Sequence, residues 1–195
     1  MFNIILNMYI TTFSIILSGI LNMIFTKTNF YKKFKKPIDG GKNMKDGKRI
    51  FGNNKTWIGF ISMSIICMFC QLIWGFICNI CNLVSRNELY ILYDNNLKFN
   101  LIVGFCFGFI YMLFELPNSF IKRRFNIEPG KTIRGFKGFF FFIFDQVDSL
   151  IGVFLLLYYL SSLTLGEYLN YIILGGITHI IINFILYKLN IRRNL

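Results

Sequence analysis

Acidic side chains are scarce in this 195-residue chain: nine Asp and Glu stand against 21 Lys and Arg, a formal charge of +12. There is one histidine, His179, inside an apolar run, so no Ser/His/Asp triad can be assembled and no His-Glu-x-x-His metalloprotease pattern is present. No haem ligand pair, Rossmann glycine pattern or Walker loop occurs either. The first apolar run lacks a basic start and a small-residue cleavage site, and its first lysine is Lys27, so it is read as a retained span rather than a cleaved leader.

What is abundant is hydrophobicity: 55% of residues are hydrophobic and 18% aromatic. Five apolar runs reach the length that crosses a bilayer, roughly 4–25, 57–84, 99–116, 139–161 and 168–188. The longest, the second, is expected to tilt or kink near Gly75. The fold class is therefore an all-α integral membrane protein of about five transmembrane helices, a single membrane-embedded domain over residues 1–195 without internal repeats. Basic and non-basic connections alternate. The 26–56 loop carries ten Lys or Arg and the 117–138 loop six, including Arg134, while the 85–98 loop has only Arg86 and Lys98 and the 162–167 loop has none. The tail adds Lys188, Arg192 and Arg193. By the positive-inside rule the N-terminus lies outside, and the C-terminus and both basic loops are cytoplasmic. Basic loops this close to a bilayer meet anionic lipid before nucleic acid. The Lys32–Lys36 cluster, beside Phe30, Tyr31 and Phe34, is assigned to headgroups.

Against this background, Asp145 and Asp148 stand out inside a hydrophobic run, just after Phe139–Phe142. A carboxylate at membrane depth costs ~2.5–3.5 kcal/mol on insertion scales. Three residues apart on a helix, the two share a face, with Ser149 beside them. A divalent cation would keep such a pair ionised, and Mg²⁺ favours one or two carboxylates plus phosphate oxygens and water. The competing reading is a structural ion pair with Lys137 or Arg134. Glu115, at the end of the third apolar run, is either a topological stop or half of a two-metal site. Pro117 marks a helix break or the first turn of a new helix. Ser119 and Lys122 share a face beyond it, followed by Arg123 and Arg124, side chains suited to phosphate. The 37–59 stretch reads as a loop, with Gly40, Gly41, Gly47 and Gly52 able to form a backbone anion nest or simply a flexible connector. Cys67-x-x-Cys70 and Cys78-x-x-Cys81 sit inside a span and are assigned to packing, not to zinc or a disulfide. His179, four before Asn183, is expected to be interhelical hydrogen-bond glue.

Several of these stretches together resemble the CDP-archaeol synthase branch of the phosphatidate cytidylyltransferase family. The carrying residues are Lys55-Thr56-Trp57-x-Gly59, Ser119-Phe120-Ile121-Lys122-Arg123-Arg124, Pro129-Gly130-Lys131 and Asp145-Gln146-x-Asp148, with Pro37-Ile38-Asp39-Gly40-Gly41 and Gly47–Gly52 also fitting. Where the family commonly has Gly-Asp, this chain has Phe114-Glu115, and Ile58 follows the Trp where relatives often carry a charge. The resemblance implies transfer of CMP from CTP to a membrane phospholipid acid, phosphatidate or its ether-lipid counterpart, with release of pyrophosphate, for phospholipid biosynthesis at the plasma membrane. It implies Glu115, Asp145 and Asp148 as Mg²⁺ ligands, catalytic roles for Asp145, Asp148 and Lys122, and substrate contacts from Lys55, Thr56, Ser119, Lys122, Arg123, Arg124 and Lys131. The partners are CTP, the lipid acid and the bilayer, with no nucleic acid; a homodimer is compatible with the sequence. The rival readings are a CTP-dependent lipid kinase, a transporter and an inactive membrane scaffold. A transporter is disfavoured because the acids cluster at one face and no paired interrupted helices occur.

Overall fold

The computed structural model describes residues 2–131 and 135–191; Arg134, Arg192 and Arg193 lie outside them. The described residues form seven α-helices: α1 (Phe2–Phe25), α2 (Asn29–Phe34), α3 (Trp57–Ile80), α4 (Glu88–Leu92), α5 (Leu97–Arg124), α6 (Phe136–Leu160) and α7 (Leu165–Lys188). A short 3-10 turn, Val84–Arg86, precedes α4. Five helices, α1, α3, α5, α6 and α7, are long and apolar enough to cross a membrane. The protein is a multi-pass integral membrane protein.

The helices start where the sequence offers caps. Thr56 accepts from the Gly59 N–H at the head of α3, Asn96 from Phe99 at the head of α5, and Thr164 with Glu167 builds a capping box on α7. At its other end α3 stops at Ile80, short of the apolar run. Asn82 takes a left-handed conformation (φ 54°), which ends a helix.

α3 is the central packing partner, lying against α1 and α5, while α6 joins α5 to α7. The α3–α5 contact is close because two glycines four apart, Gly104 and Gly108, face α3. A Cβ on Gly108 would stand 2.5 Å from the Met63 carbonyl oxygen, and one on Gly104 would stand 2.8 Å from the Cys67 carbonyl oxygen. In lipid, where apolar surface gains nothing by leaving hydrocarbon, this small-residue approach is how helices associate. α3 runs as one helix through Gly75. Gly75 makes room for Asn95, whose Nδ2 donates to the Gly75 carbonyl at 2.7 Å, and for Asn100. These belong to a buried polar network in which Gln71 joins Ser14, Tyr90 and Asn100.

Two expectations are corrected. α5 continues unbroken through Pro117 to Arg124 and is the longest span, where the hydropathy ended it at residue 116. A proline removes one backbone hydrogen bond, and packing against α3 on one side and α6 on the other holds the helix through it. Cys67, Cys70 and Cys78 are buried on α3 as packing side chains, but Cys81 is exposed.

Candidate active site

The continuation of α5 is what builds the site. Glu115, Asn118, Ser119 and Lys122 fall at i, i+3, i+4 and i+7, one face of the helix. Asp145 and Asp148 stand on the facing side of α6, nine and twelve residues into that helix. Lys122 Nζ donates to both carboxylate oxygens of Asp145. Asn118, 5% exposed, spends both amide hydrogens on the acids: Nδ2 donates to Asp145 Oδ1 and Asp148 Oδ2, each at 2.7 Å. Asp148 also accepts from the Ser149 N–H at 2.7 Å. The anticipated structural partner Lys137 lies instead over the Phe125 ring, 5.8 Å from its centroid. Asn118 carries no charge and stands in no charge pattern, which is why its bridging place was not read from the sequence.

A third wall comes from the loop ahead of α3. Lys55 Nζ pairs with Glu115, both side chains about four-fifths buried. Burial alone would lower the Lys55 pKa, but Glu115, with Asp148 and Asp145 further off, more than offsets it and raises the value above the ordinary lysine range. One ammonium thus sits in the field of all three carboxylates.

Lys55 is held there by an ordered loop. Asp39, its side chain fully buried, accepts from Arg49 (Nη2 at 2.5 Å) and from the backbone N–H groups of Gly41 (3.1 Å), Phe51 (3.0 Å) and Gly52 (2.9 Å). Burial opposes ionisation of Asp39, but these donors outweigh it and hold the carboxyl well below the usual carboxylate range. The anticipated anion nest exists, and the chain's own Asp39 fills it. Gly52 needs its glycine: φ is +94°, and a Cβ would lie 2.7 Å from Pro129 Cγ. Backbone bridges Pro37 to Thr56 and Asn43 to Arg49 close the loop.

The remaining sequence-nominated residues divide. Arg123 is 8% exposed, with Nε 3.5 Å from the Ser119 carbonyl and a buried Nη1 that has no hydrogen-bond partner. It lies against Gly52, linking the loop to α5. Arg124 turns away from the acids. It binds Asp46 at 2.7 Å and the carbonyls of Lys48 and Arg49, while Lys48 Nζ returns a bond to the Arg124 carbonyl at 2.7 Å. Thr56 is buried as the α3 cap and bonded to the Tyr31 hydroxyl at 2.8 Å. Lys131 pairs with Glu128 on the exposed surface. His179 does act as glue: Nδ1 lies 3.1 Å from the Gln146 carbonyl oxygen, and Asn183 donates to Gln146 Oε1 at 2.8 Å.

By donor chemistry the site fits a hard divalent cation. Asp145 and Asp148 are brought together by Asn118, and their side chains provide oxygens only. Among the described residues no three acidic, His or Cys side chains surround one point, and Glu115 is engaged by Lys55. A cation here would rest on the two aspartates and draw its other oxygens from phosphate and water.

The chain is similar to several known proteins. A chain described as CDP-archaeol synthase in Methanocaldococcus jannaschii is 32% identical over 159 residues, covering 80% of this chain and 81% of its own. Another of the same description, from Methanosarcina barkeri, is 29% identical over 171 residues, 81% and 89% of the two chains. One from Thermococcus gammatolerans is 28% identical over 156 residues, 79% and 78%. A solved intramembrane enzyme of archaeal membrane-lipid biosynthesis covers 90% of this chain and 92% of its own, with a TM-score of 0.55 at 19% identity, a likeness of fold. The family model for CarS-like CDP-archaeol synthases matches residues 5–194, and the chain belongs to that family.

Proposed function

We propose that this protein transfers CMP from CTP to the phosphate of an ether-linked lipid acid held in the membrane, yielding a CDP-activated lipid and pyrophosphate for phospholipid biosynthesis. The observation that carries the reading is the pairing of two aspartates through Asn118, with Lys122 and the Lys55–Glu115 pair beside them, at one end of a transmembrane bundle. The ether linkage is supported by the CDP-archaeol synthase description shared by the relatives. The whole chain acts as one membrane-embedded unit, and its basic end faces the cytoplasm of the plasma membrane, where CTP is made.

The chemistry asks little of a base. A lipid phosphate is already an anion, so the reaction needs alignment and neutralisation of the triphosphate's charge. One oxygen of the lipid phosphate attacks the α-phosphorus of CTP. The bond from that phosphorus to the oxygen bridging the β-phosphate breaks, and pyrophosphate leaves. Mg²⁺, when bound at Asp145 and Asp148, supplies Lewis-acid neutralisation of charge on the phosphate oxygens. Lys122, held by Asp145, offers its remaining N–H to phosphate at headgroup depth. The unpartnered Arg123 Nη1 supplies a second donor from beneath the glycine loop. Lys55 adds a third cation, kept charged by Glu115. Asn118 binds no substrate; it sets the spacing of the two aspartates.

The test is purified protein in lipid nanodiscs with CTP labelled at the α-phosphorus, Mg²⁺ and a panel of ether- and ester-linked lipid phosphates. Expected is a CMP-bearing lipid in equal amount with pyrophosphate, fastest with the ether-linked acid. A lipid product carrying only an added γ-phosphoryl group, with CDP released, would instead make the protein a kinase.

A further inference from the structure

Between the two aspartates in sequence stands Gln146, uncharged and 2% exposed. At about 100° per residue it lies roughly 130° round α6 from the mid-line of Asp145 and Asp148, and it faces α7 instead of α5. α7 meets it with Gly176, His179 and Asn183, which fall at i, i+3 and i+7 on one helix face. A Cβ on Gly176 would stand 3.1 Å from Val147 Cγ1, so the two helices run close at this level. His179 Nδ1 lies 3.1 Å from the Gln146 carbonyl oxygen. A carbonyl only accepts, so Nδ1 carries the hydrogen, and Nε2 of the neutral ring accepts from the Tyr111 hydroxyl of α5, 3.5 Å away. Asn183 Nδ2 donates to Gln146 Oε1 at 2.8 Å, and Gln146 Nε2 turns back to the Phe142 carbonyl at 3.3 Å. Both the backbone and the side chain of one residue are therefore tied from α7.

The place of these bonds gives them a use beyond holding helices together. Apolar contacts in lipid resist separation of α6 and α7 but resist a turn of α6 about its own axis only weakly, whereas directed hydrogen bonds fix it. Side-chain ends stand ~5–6 Å off a helix axis, so a turn of ~20° would carry the carboxylates ~2 Å. Mg²⁺ demands near-ideal geometry at about 2.0–2.1 Å, and a misplacement of ~1 Å is enough to cost about a hundredfold in rate. Asn118 ties the acids to α5 on one side of α6. The bonds from α7 provide the opposing hold.

Resting on the cytidylyltransferase reading above, we infer that His179 and Asn183 are positioning residues for the reaction. Acting through Gln146 from α7, they hold α6 at the turn where Asp145 and Asp148 share Asn118 and can share one cation. Neither residue touches the acids. The neighbouring Thr178 serves as a contrast: its hydroxyl lies 2.9 Å from that of Tyr9, a bond from α7 to α1 that does not reach α6.

Two measurements test this. The first needs neither metal nor turnover. In nanodiscs, with asparagine labelled by ¹⁵N, the Asn118 side-chain amide reports its two carboxylate bonds in the NMR spectrum; Asn118→Ala assigns it. His179→Leu and Asn183→Leu should each move its protons upfield toward a free amide. Gln146→Met, a milder change that loses the bond from Asn183, should move them the same way. His179→Asn, which can present an N–H at the same place, and Thr178→Val should leave them near the wild-type position. Unmoved protons in Gln146→Met and the leucine variants, or an equal shift in Thr178→Val, would overturn the inference. The second measurement is kinetic. The leucine variants should lower kcat about tenfold and raise the Mg²⁺ needed for half-maximal CMP transfer about tenfold, with KM for the lipid acid within about twofold. His179→Asn should recover most of the loss. Gln146→Met combined with Asn183→Leu should lose no more than the worse single variant, because both break one bond. Additive losses would overturn the inference. Asn118 protons that move as expected in a protein that transfers no CMP would leave the positioning standing and sink the reaction. CMP transfer with those protons unmoved would do the reverse.

Discussion

Replacing Asp39 tests whether the glycine-rich loop is a built part of the site. Asp39→Ala leaves the buried Gly52 N–H and the partly buried Phe51 N–H without their acceptor, at about 1–3 kcal/mol each. Arg49 loses a charged partner, but its side chain is 28% exposed and keeps Asn53 at 2.8 Å, so its share is about 1 kcal/mol. The total is about 3–7 kcal/mol, or roughly two to five decades in the ratio of ordered to open loop. That loss should stay local, because the donors to Asp39 all belong to the loop. The assay is amide hydrogen exchange in nanodiscs beside kinetics. Protection at Phe51 and Gly52 should fall at least about a hundredfold, amides of α3 and α6 should hardly change, and kcat/KM should fall because Lys55 is no longer delivered to Glu115. Asp39→Asn should be little better, since its amide brings donors to a site that already holds five. Unchanged protection across 49–52, or melting of the helices together with the loop, would refute the reasoning.

Other expectations follow from the same geometry. Lys122→Ala and Arg123→Ala should each lower kcat/KM at least about tenfold for CTP or lipid, while Lys33→Ala and Lys35→Ala should be nearly silent; four equal, mild effects would reduce the charges to a diffuse field. Asp145→Asn or Asp148→Asn should cut turnover far more than protein level, and excess chelator should abolish it; full activity in chelator would remove Mg²⁺ from the proposal. Lys55→Met and Glu115→Gln should each destabilise the protein, and the double variant should regain stability but not activity, as measured by thermal unfolding and rate. On pH, the Lys55 pKa is raised by folding, so its stabilisation is fully present below the ordinary lysine value and is lost as pH rises through the higher folded value. The Asp39 pKa is depressed, so its contribution is present above about pH 4 and is lost only as pH falls through the lower folded value. Loop protection should therefore hold at pH 5 and at pH 9; a loop that opens at either would contradict both assignments.

The five spans were legible because bilayer thickness imposes a length and a composition that few other constraints disturb. The two aspartates were legible for the complementary reason, that a carboxylate has no cheap place in hydrocarbon. What escaped was whatever depends on backbone continuity or on neutral side chains. Hydropathy stopped the third span near Glu115, yet the helix continues to Arg124, and that continuation brings Asn118 and Lys122 onto one face with Glu115. Asp39 was read only as part of a glycine-rich stretch, since nothing in a loop's composition tells whether its nest awaits a ligand or is filled from within. Arg123 and Arg124 are neighbours of the same type, and only their positions on α5 separate them: one lies beneath the loop with an unpartnered nitrogen, the other clamps the loop from outside.

That separation bears on how a site can be both buried and open to charge. Fully ionised, the three carboxylates would carry three negative charges against two positive ones on Lys55 and Lys122, so the ion pairs leave at most one net charge in the cluster and lower its cost at the membrane end. The pairs are also unequal. Asp145 and Glu115 each hold an ammonium, whereas Asp148 has only the Asn118 amide and the Ser149 N–H. On the proposed reading, a cation arriving with a triphosphate would meet one carboxylate without a cationic partner to displace, and the triphosphate would bring oxygens for Lys122 and Arg123. The loop must be in place for this, because it delivers Lys55 and covers Arg123. Arg124 holds the loop from outside, so a change that loosens the loop should weaken the charged site while sparing the bundle.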